Sequence, residues 1–331
     1  QAPARQAAIH GGIPDTVPAM TVNKVCGSGL KAVMLASQAI KAGDAQCLVA
    51  GGMESMSNAP FYVFGMRAGV KYGNQHLVDG LQLDGLWCSF GDNVMGAYAE
   101  YTAEKAGVSR EEQDRFAFES HQKAVGAIEG GKFKEEIVSV EVPGRKGQVT
   151  VVDTDEGPRK DTSLEALAKL RPVFQKDGTV TAGNAPGLND GASAVVVTSQ
   201  AFAEAHGLDV VAKVTGYAMG GGAPKDLFFA PIKAVENLMA KTNQSIDSYE
   251  VIEANEAFAV QALADGRGLG WDWNRVNVNG GAVALGHPIG ASGTRILTTL
   301  LYAMQDRGAA SGMATLCLGG GNAVALSVER N

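Results

Sequence analysis

Two stretches of the chain, GSGLK at residues 27–31 and ASGTR at residues 291–295, open the same order of features. Each begins with a small residue that is followed by Ser and then Gly, and each starts an apolar pattern with helical spacing. Each helical pattern leads to a short apolar strand, at residues 47–50 and 314–318, which is followed by glycines. The repeated order predicts a duplicated α/β unit, with one copy in each half of the chain.

Composition narrows the class of protein. The 331 residues are 45% hydrophobic and 19% charged, enough for two domains with buried cores, and the 43 glycines are about twice the usual share of ~7%. The net charge of −7 has no block of one sign, which argues against nucleic acids and anionic membranes as partners. Four scattered cysteines without a Cys/His cluster argue against a zinc site and favour a reducing, cytoplasmic location. No apolar stretch approaches the ~18 residues of a membrane span.

The middle of the chain differs from its two ends. It is richer in charged and turn-forming residues, and it contains a capping box, Ser109 with Glu112, that predicts the start of a helix. The α/β pattern resumes with an apolar run at 194–197, a helix at 200–206 and a strand at 251–253. The predicted parts are the first part of an N-terminal half (1–57), an inserted loop domain (58–179), the return to the N-terminal half (180–208) and a C-terminal half (209–331).

Cys26 is the first candidate for chemistry. It precedes an apolar helix in which Leu30, Val33 and Met34 are helically spaced. Free N–H groups and the positive dipole end of a helix stabilise a thiolate, and two nearby glycines leave room for a substrate. The stretch predicts a nucleophile, although on its own it also fits an inert buried cysteine.

Three other stretches complete a possible acyl-transfer site. His287 lies among small residues, so a bound molecule could reach its ring, although a turn histidine fits equally. Cys317 and the glycines after it end an apolar strand, where free amides could contact a ligand oxygen. Asn255 and Glu256 lie where a strand meets a helix, which Asn255 could simply cap. Together they offer a nucleophile, a base, a second acid or base and an oxyanion donor.

Residues 27–32 also satisfy GxGxxA, a fingerprint of nucleotide-dependent oxidoreductases. The fingerprint requires an apolar strand before the phosphate turn. Asn23 and Lys24 occupy that place, which weakens this alternative.

Five segments in combination resemble the thiolase family, and particularly its acetyl-CoA acetyltransferases. They are NKVCGSG at 23–29, GGMESMS at 51–57, NEAF at 255–258, GHPIGASG at 286–293 and CLGGG at 317–321. The resemblance implies a thiolase fold, with two duplicated α/β halves, mixed five-stranded sheets in an αβαβα layered core, and an inserted loop domain. Thiolases begin well upstream of the segment that matches residues 3–7. The resemblance therefore implies that the first strand and helix of the N-terminal half are missing from this sequence.

The resemblance implies reversible Claisen condensation of two acetyl-CoA to acetoacetyl-CoA and CoA, or thiolysis of a short 3-ketoacyl-CoA. Cys26 would carry the acyl group, His287 would accept its proton, and Cys317 would deprotonate the second acetyl-CoA. The backbone N–H groups of Cys26 and Gly319 would hold the thioester oxygen. His287 and a water on Asn255 would hold the enolate oxygen. Coenzyme A and acetyl-CoA would be substrates, with no tightly bound cofactor and no metal.

Contacts to coenzyme A also follow from the resemblance, with ordinary packing as their alternative. The positions on the pantetheine side are Leu86, Met95, Ala182, Ala257 and Phe258. Arg159 falls near the nucleotide end, where a cation suits phosphate, although it could be a solvated charge. The inserted region would carry the coenzyme contacts Leu86, Met95 and Arg159 as well as the oligomer contacts. Residues 65–73 resemble the family's tetramerisation loop, so we expect a homodimer or homotetramer.

Some positions depart from the family pattern and affect the acyl-chain prediction. Val94 replaces a common histidine, Pro186 replaces a serine, and residues 227–231 and Tyr72 differ where the acyl pocket is expected. A 3-ketoacyl-CoA thiolase of fatty-acid β-oxidation with longer chains is therefore an alternative. A 3-ketoacyl synthase is a weaker one, because Cys317 stands where synthases use His or Asn. A non-catalytic CoA-binding paralogue is weaker still, because the catalytic positions are intact.

Overall fold

A computed structural model describes residues 1–330. Its α-helices are α1 (Pro3–His10), α2 (Ser28–Ala42), α3 (Met95–Ala106), α4 (Arg110–Glu129), α5 (Leu164–Ala168), α6 (Gln200–His206), α7 (Ala230–Thr242), α8 (Ala259–Leu269), α9 (Ala282–Leu285) and α10 (Ser292–Arg307). Its strands are β1 (Cys47–Ser55), β2 (Phe61–Tyr62), β3 (Val78–Asp79), β4 (Trp87–Cys88), β5 (Asn93–Val94), β6 (Val140–Pro143), β7 (Val149–Val152), β8 (Asp190–Thr198), β9 (Lys213–Gly221), β10 (Val251–Ala254), β11 (Ser311–Leu318) and β12 (Asn322–Glu329).

The C-terminal half is built on a sheet with the strand order β10-β11-β12-β9. β10 and β11 are parallel, and the other two pairs are antiparallel. All of β10 and nearly all of β11 are buried, as expected for strands covered on both faces. Because parallel strands end at the same edge, Asn255 and Cys317 emerge side by side, and the Asn255 N–H donates to the Thr315 carbonyl at 3.0 Å.

The N-terminal half contains an antiparallel pair, β1 with β8, in register from Cys47 with Thr198 to Ser55 with Asp190. The strands predicted at 47–50 and 194–197 are confirmed and are longer than predicted. Gly51 and Gly52 lie inside β1 instead of after it. A Cβ at Gly51 would lie 2.5 Å from the Ser193 carbonyl oxygen, so close approach to β8 explains this glycine.

The helices α2 and α10 of the duplicated unit pack against each other between the two sheets, and α7 covers the other face of the C-terminal sheet. Their contact is reciprocal. A Cβ at Gly29 would lie 2.7 Å from the Thr294 nitrogen, and one at Gly293 would lie 2.4 Å from the Leu30 nitrogen. The layered packing of helices between two sheets that the sequence predicts is present, and this glycine contact lies at its centre.

The number of strands differs from the five expected in each half, because the described residues form four in one sheet and two in the other. At the C-terminal sheet, Val276 adds a single parallel bridge to Ile252, and the chain then turns at Asn277, whose φ is 45°. Before Cys26, Pro18 lacks an N–H donor and Val25 has a φ of 48°, so this stretch does not extend into a strand.

The inserted region contains the long helix α4, and its predicted capping box is present. Ser109 Oγ accepts from the Glu112 N–H at 3.2 Å, and Glu112 Oε2 accepts from the Ser109 N–H at 2.8 Å. The helix predicted at 200–206 is confirmed with the same bounds and ends at Gly207 in the left-handed conformation. The division into four parts stays a prediction. Within residues 1–330, no helix has the length and apolar character needed to cross a membrane.

Candidate active site

Cys26 lies one residue before the N-cap of α2, in a tight turn that the chain closes with its own polar groups. Ser28 Oγ accepts from the Lys24 N–H at 2.8 Å and donates to the Val25 carbonyl at 2.7 Å. Asn23 Oδ1 accepts from the Val25 N–H at 2.9 Å. The turn therefore fixes the backbone on both sides of the thiol.

Val25 has a φ of 48°, which is unusual for a β-branched residue and costs of order 1–3 kcal/mol. Its side chain faces Gly319, where an added Cβ would lie 3.5 Å from Val25 Cγ1. The strained turn thus brings the residue before Cys26 against the end of β11. Sequence reasoning missed Val25, because nothing in a valine's side chain signals a left-handed backbone.

Two backbone amides point at the Cys26 sulfur. The N–H groups of Gly319 and of Cys26 itself both hydrogen-bond to it and lower its pKa. Burial has the larger effect, and it raises the pKa of Cys26 to about 12. The stabilised thiolate expected at this helix end is therefore wrong for the free protein, because desolvation outweighs the local donors. The sulfur is held as a thiol until a base removes its proton.

His287 belongs to the glycine-rich loop between α9 and α10. Gly286 has a φ of 102°, and a Cβ there would lie 2.4 Å from the Asn189 side chain. Asn189 Oδ1 in turn accepts from the His287 N–H at 3.1 Å. Sequence reasoning missed Asn189, which lies far from His287 in the chain.

The segment GGMES, which sequence analysis used only as a family match, positions this loop. Gly52 of β1 lies against Gly290, where a Cβ would come within 2.1 Å of the Gly290 carbonyl oxygen. Glu54 Oε2 accepts from the Gly290 N–H at 3.0 Å. β1 therefore joins the N-terminal half to the loop that carries His287.

The hydrogen bonds of His287 assign its tautomer. Ser292 Oγ donates to the Pro288 carbonyl at 2.9 Å, so it accepts from His287 Nδ1 at 2.6 Å. The proton therefore resides on Nδ1, and Nε2 has a free lone pair. Burial and then the charge of Arg295 lower the pKa of His287 to about 4, which keeps the ring neutral.

Asn255 meets His287 at this lone pair. Its Nδ2 lies 3.4 Å from His287 Nε2, and its Oδ1 is fully buried without a protein partner. A buried amide oxygen that lacks a partner is suited to a bound water. The alternative in which Asn255 caps the following helix is wrong, because α8 begins at Ala259 with Phe258 at its N-cap.

Glu256, the neighbouring carboxylate, is a structural group. It accepts from Ser120 Oγ at 2.8 Å, from Asn277 Nδ2 at 2.8 Å and from the Val283 N–H at 3.0 Å. These donors use its lone pairs on the side of the protein interior. Glu256 thus braces the loop that carries Asn255.

Cys317 is buried in an apolar cluster with Phe228 and Val260, and Met95 and Phe258 pack against this cluster. Burial, followed by the nearby charges of Cys26 and Asp265, raises its pKa well above the usual range. A thiol with a raised pKa yields a strongly basic thiolate. The structure brings both cysteines, His287, Asn255 and Gly319 to one region.

The predicted coenzyme contacts fall into three groups. Met95, Ala257 and Phe258 pack in or against the cluster around Cys317. Leu86 is half-buried at the end of a short π-helix, Leu81–Leu86. In this helix, a Cβ at Gly85 would lie 3.0 Å from Cδ1 of Ile289, which belongs to the loop that carries His287. Ala182 and Arg159 are exposed, and neither packs in this cluster.

The oxidoreductase alternative is not supported by the fold. Residues 21–25 form no strand before the glycine motif, which the dinucleotide fingerprint requires. Among the described residues, no group of three or more His, Cys, Asp or Glu side chains is arranged to hold a metal ion.

Comparison with known proteins identifies the class. The model of the thiolase N-terminal domain matches residues 1–201, and that of the thiolase C-terminal domain matches residues 208–330. The chain therefore belongs to the thiolase family, and it is an acyltransferase.

Particular relatives agree over the whole chain. The chain is 57% identical to the acetyl-CoA acetyltransferase of Pseudomonas aeruginosa, covering 100% of this chain and 84% of the relative. It is 52% identical to a probable acetyl-CoA acetyltransferase of Escherichia coli, with the same coverage. Among solved structures, the human mitochondrial 3-ketoacyl-CoA thiolase superimposes with a TM-score of 0.96 at 39% identity, covering 99% of this chain and 83% of that one.

Proposed function

We propose that this protein is an acetyl-CoA C-acyltransferase that condenses two acetyl-CoA into acetoacetyl-CoA and CoA, and catalyses the reverse thiolysis. The observation that carries the proposal is the pair of N–H groups, from Gly319 and Cys26, directed at the Cys26 sulfur beside a second buried thiol. A simple hydrolase needs one thiol, whereas carbon–carbon bond formation needs a separate base for the α-carbon.

In the first step, Cys26 Sγ attacks the thioester carbonyl of acetyl-CoA and forms the acyl-enzyme. The Cys26 proton passes to Nε2 of His287, and Cys317 gives its own thiol proton to the departing CoA sulfur. CoA therefore leaves as its thiol, and Cys317 is left as a thiolate. The N–H groups of Cys26 and Gly319 stabilise the negative oxygen of the tetrahedral intermediate. The ring of His287 is neutral, with its proton on Nδ1 and a lone pair on Nε2, which supports its role as the acceptor of the Cys26 proton.

In the second step, the thiolate of Cys317 removes a proton from the α-carbon of another acetyl-CoA. The enolate oxygen accepts hydrogen bonds from the Nε2–H of protonated His287 and from a water on Asn255, whose buried Oδ1 has no protein partner. The carbanion then forms the carbon–carbon bond as the bond from the acyl group to Cys26 breaks. The proton on His287 Nε2 then returns to the Cys26 thiolate, and Cys317 keeps the proton from the α-carbon, so both thiols and the neutral ring are restored.

Coenzyme A is proposed as a substrate, with no tightly bound cofactor. Its pantetheine arm would lie along Leu86, Met95, Ala182, Ala257 and Phe258, and its nucleotide end would lie near Arg159. The apolar packing of Met95, Ala257 and Phe258 around Cys317 supports the first part. The exposed position of Arg159 suits a phosphate ligand.

A longer-chain 3-ketoacyl-CoA thiolase is the second candidate. The close likeness to the human mitochondrial 3-ketoacyl-CoA thiolase favours it, as does the loss of polar groups at Val94 and Pro186. Relative kcat/KM for acetoacetyl-CoA and for longer 3-ketoacyl-CoA substrates decides between them. Preference for acetoacetyl-CoA supports the first candidate, and a clear preference for longer chains supports the second.

A homodimer or homotetramer and a cytoplasmic location are also proposed. Tyr72, in the segment that resembles a tetramerisation loop, is fully exposed in the single chain, which leaves it free for a subunit contact. Light scattering after size exclusion tests the assembly, and cell fractionation tests the location.

The activity itself is tested by CoA-dependent thiolysis of acetoacetyl-CoA. The protein is expected to be active, and Cys26→Ala is expected to abolish activity, while Cys47→Ala, at the exposed start of β1, should retain it. A Cys26→Ala protein with full thiolysis would contradict the proposal.

A further inference from the structure

His121, on α4, lies behind the segment that carries Arg159. It is 6% exposed, and its Nδ1 accepts a hydrogen bond from the backbone N–H of Arg159 at 3.2 Å. A ring nitrogen can accept only when it is unprotonated. The contact therefore depends on the neutral form of His121 with its proton on Nε2.

The segment of residues 157–160 has two other attachments of different kinds. Gly157 approaches the Ala284 carbonyl, where a Cβ would lie 2.5 Å from the oxygen. Lys160 Nζ contacts Glu129 Oε1 at 2.7 Å, but both side chains are more than half exposed, so this pair contributes little. The partly buried hydrogen bond to His121 is a polar attachment that fixes the backbone of Arg159.

Protonation of His121 would reverse this contact. The imidazolium would present an N–H to the Arg159 N–H and add a positive charge beside the guanidinium of Arg159. Burial and then the charge of Arg159 lower the pKa of His121, which favours the accepting form near neutral pH.

Charged residues also lie on the elements next to α4. On the segment around Arg159, on α5 and on α8 they are Asp155, Glu156, Lys160, Glu165, Asp265 and Arg267, and the nearest along α4 itself are Glu119 and Lys123. Arg267 is engaged by Glu112 at the far end of α4, and Lys123 Nζ donates to the Val276 carbonyl at 3.3 Å. Arg159 is thus the cation that faces the ring most directly.

We propose that His121 is a positioning residue for coenzyme A binding: its unprotonated Nδ1 holds the backbone of Arg159, and protonation of the ring releases the 157–160 segment and weakens CoA affinity. The inference rests on the proposed function, because it takes Arg159 as a contact to the nucleotide end of coenzyme A. It assigns His121 no part in the chemistry at Cys26.

The test compares His121→Asn and His121→Leu with the wild type by calorimetric titration with CoA between about pH 5 and pH 7.5. Asparagine offers an acceptor near the position of Nδ1 but does not titrate, whereas leucine offers none. CoA phosphate also titrates near pH 6, so the readout at each pH is the difference between proteins. Melting temperatures verify that each variant is folded.

We expect His121→Leu to bind CoA roughly 5- to 10-fold more weakly at neutral pH, the usual effect of one lost hydrogen bond. His121→Asn should bind within about twofold of the wild type at neutral pH and more tightly than it at acidic pH. Equal affinity of His121→Leu and wild type, or the same acid dependence in His121→Asn and wild type, would overturn the inference.

A nucleotide-free substrate separates this inference from the proposed function. Acetoacetyl-pantetheine reaches the active site but lacks the group that Arg159 would hold. The ratio of kcat/KM for acetoacetyl-CoA to that for acetoacetyl-pantetheine should fall in His121→Leu, and an unchanged ratio would overturn the role of His121. If the wild type neither binds CoA nor turns over either thioester, the proposed function itself fails.

Discussion

At the scale of single residues, the environment of His287 determines what its ring can do. The Ser292 hydroxyl accepts a hydrogen bond from the Nδ1–H and donates its own hydrogen bond to the Pro288 carbonyl. This arrangement leaves Nε2 as the only basic position of the ring and directs it toward Asn255. The catalytic proposal therefore depends on a serine that does not itself touch the reacting atoms.

Replacing that serine tests the tautomer. In Ser292→Ala, the Nδ1–H loses its acceptor, both tautomers become populated, and kcat for thiolysis should fall roughly 10- to 100-fold. Thr298→Ala is the matched control, because it removes a hydroxyl from the same helix that bonds to Ser193 at 2.9 Å. Equal kcat in the Ser292 variant and the control would contradict the assigned tautomer.

The catalytic side chains of the candidate site could be predicted from the sequence. The residues that hold them in position could not. Cys26, His287 and Cys317 stand out because thiols and imidazoles among glycines suggest chemistry. Val25 and Asn189 do not, because their contribution is a backbone angle and a contact between distant segments. The pKa of Cys26 was predicted in the wrong direction because a sequence does not reveal how deeply a thiol is buried.

At the scale of elements, the fold depends on the crossing of α2 and α10. Because Gly29 and Gly293 have no Cβ atom, the backbone of each helix can lie where a side chain on the other helix would otherwise stand. Interiors packed to this density do not accept even one extra methyl group without strain.

A glycine substitution in this crossing has a clear expectation. Gly29→Ala should lower the free energy of unfolding by about 1–3 kcal/mol, because its methyl group would meet backbone as well as side-chain atoms. Gly126→Ala is the control, since Gly126 lies within α4 with nothing within 4 Å of its Cβ position, and it should gain about 0.5–1 kcal/mol. Urea denaturation measures both, and equal stability of the two variants would argue against the packed crossing.

Helices and strands with regular apolar patterns could be predicted from the sequence. Elements in which glycines interrupt the apolar pattern could not. β9 was not predicted, because glycines at 216, 220 and 221 weaken a strand pattern. In the fold, Gly220 lets α7 approach, since a Cβ there would lie 2.5 Å from the Ala234 nitrogen. In the sequence, Gly220 suggests a turn. In the fold, it allows a helix to pack closely against the sheet.

At the scale of the whole molecule, two carboxyl groups contact α10, namely the half-buried Glu136 of the inserted region and the buried Glu253 of β10. Thr299 Oγ1 donates to Glu136 Oε1 at 3.1 Å, and Arg295 Nη1 lies 3.9 Å from Glu253 Oε2. Burial, opposed by Thr299 and Arg295, raises the pKa of Glu136 to about 7. Burial likewise raises the pKa of Glu253 to about 8.

These shifts predict a pH dependence of stability. A carboxyl group whose pKa is higher in the folded state stabilises the fold fully below its unfolded pKa of about 4.5 and loses this contribution as the pH rises through its folded pKa. Glu136 and Glu253 should therefore reduce the free energy of unfolding between about pH 4.5 and pH 8. Denaturant titrations across this range measure the slope.

Glu136→Gln isolates one of the two groups. Glutamine keeps an acceptor for Thr299 but cannot ionise, so the variant should lose less stability than the wild type between about pH 4.5 and pH 7. Glu135→Gln, at the exposed neighbouring position, should follow the wild type. Identical slopes for Glu136→Gln and wild type would show that this carboxyl titrates normally.

The central claim is that Cys26 carries the acyl group, and the most direct test is the site of acetylation. The protein is mixed with isotopically labelled acetyl-CoA without a second substrate, quenched in acid, digested and analysed by mass spectrometry. The account predicts label on Cys26 alone, no label in Cys26→Ala, and retained label in a Cys317→Ala protein that no longer exchanges the α-hydrogens of acetyl-CoA. Label on Cys317, or an equal amount in the absence of Cys26, would contradict it.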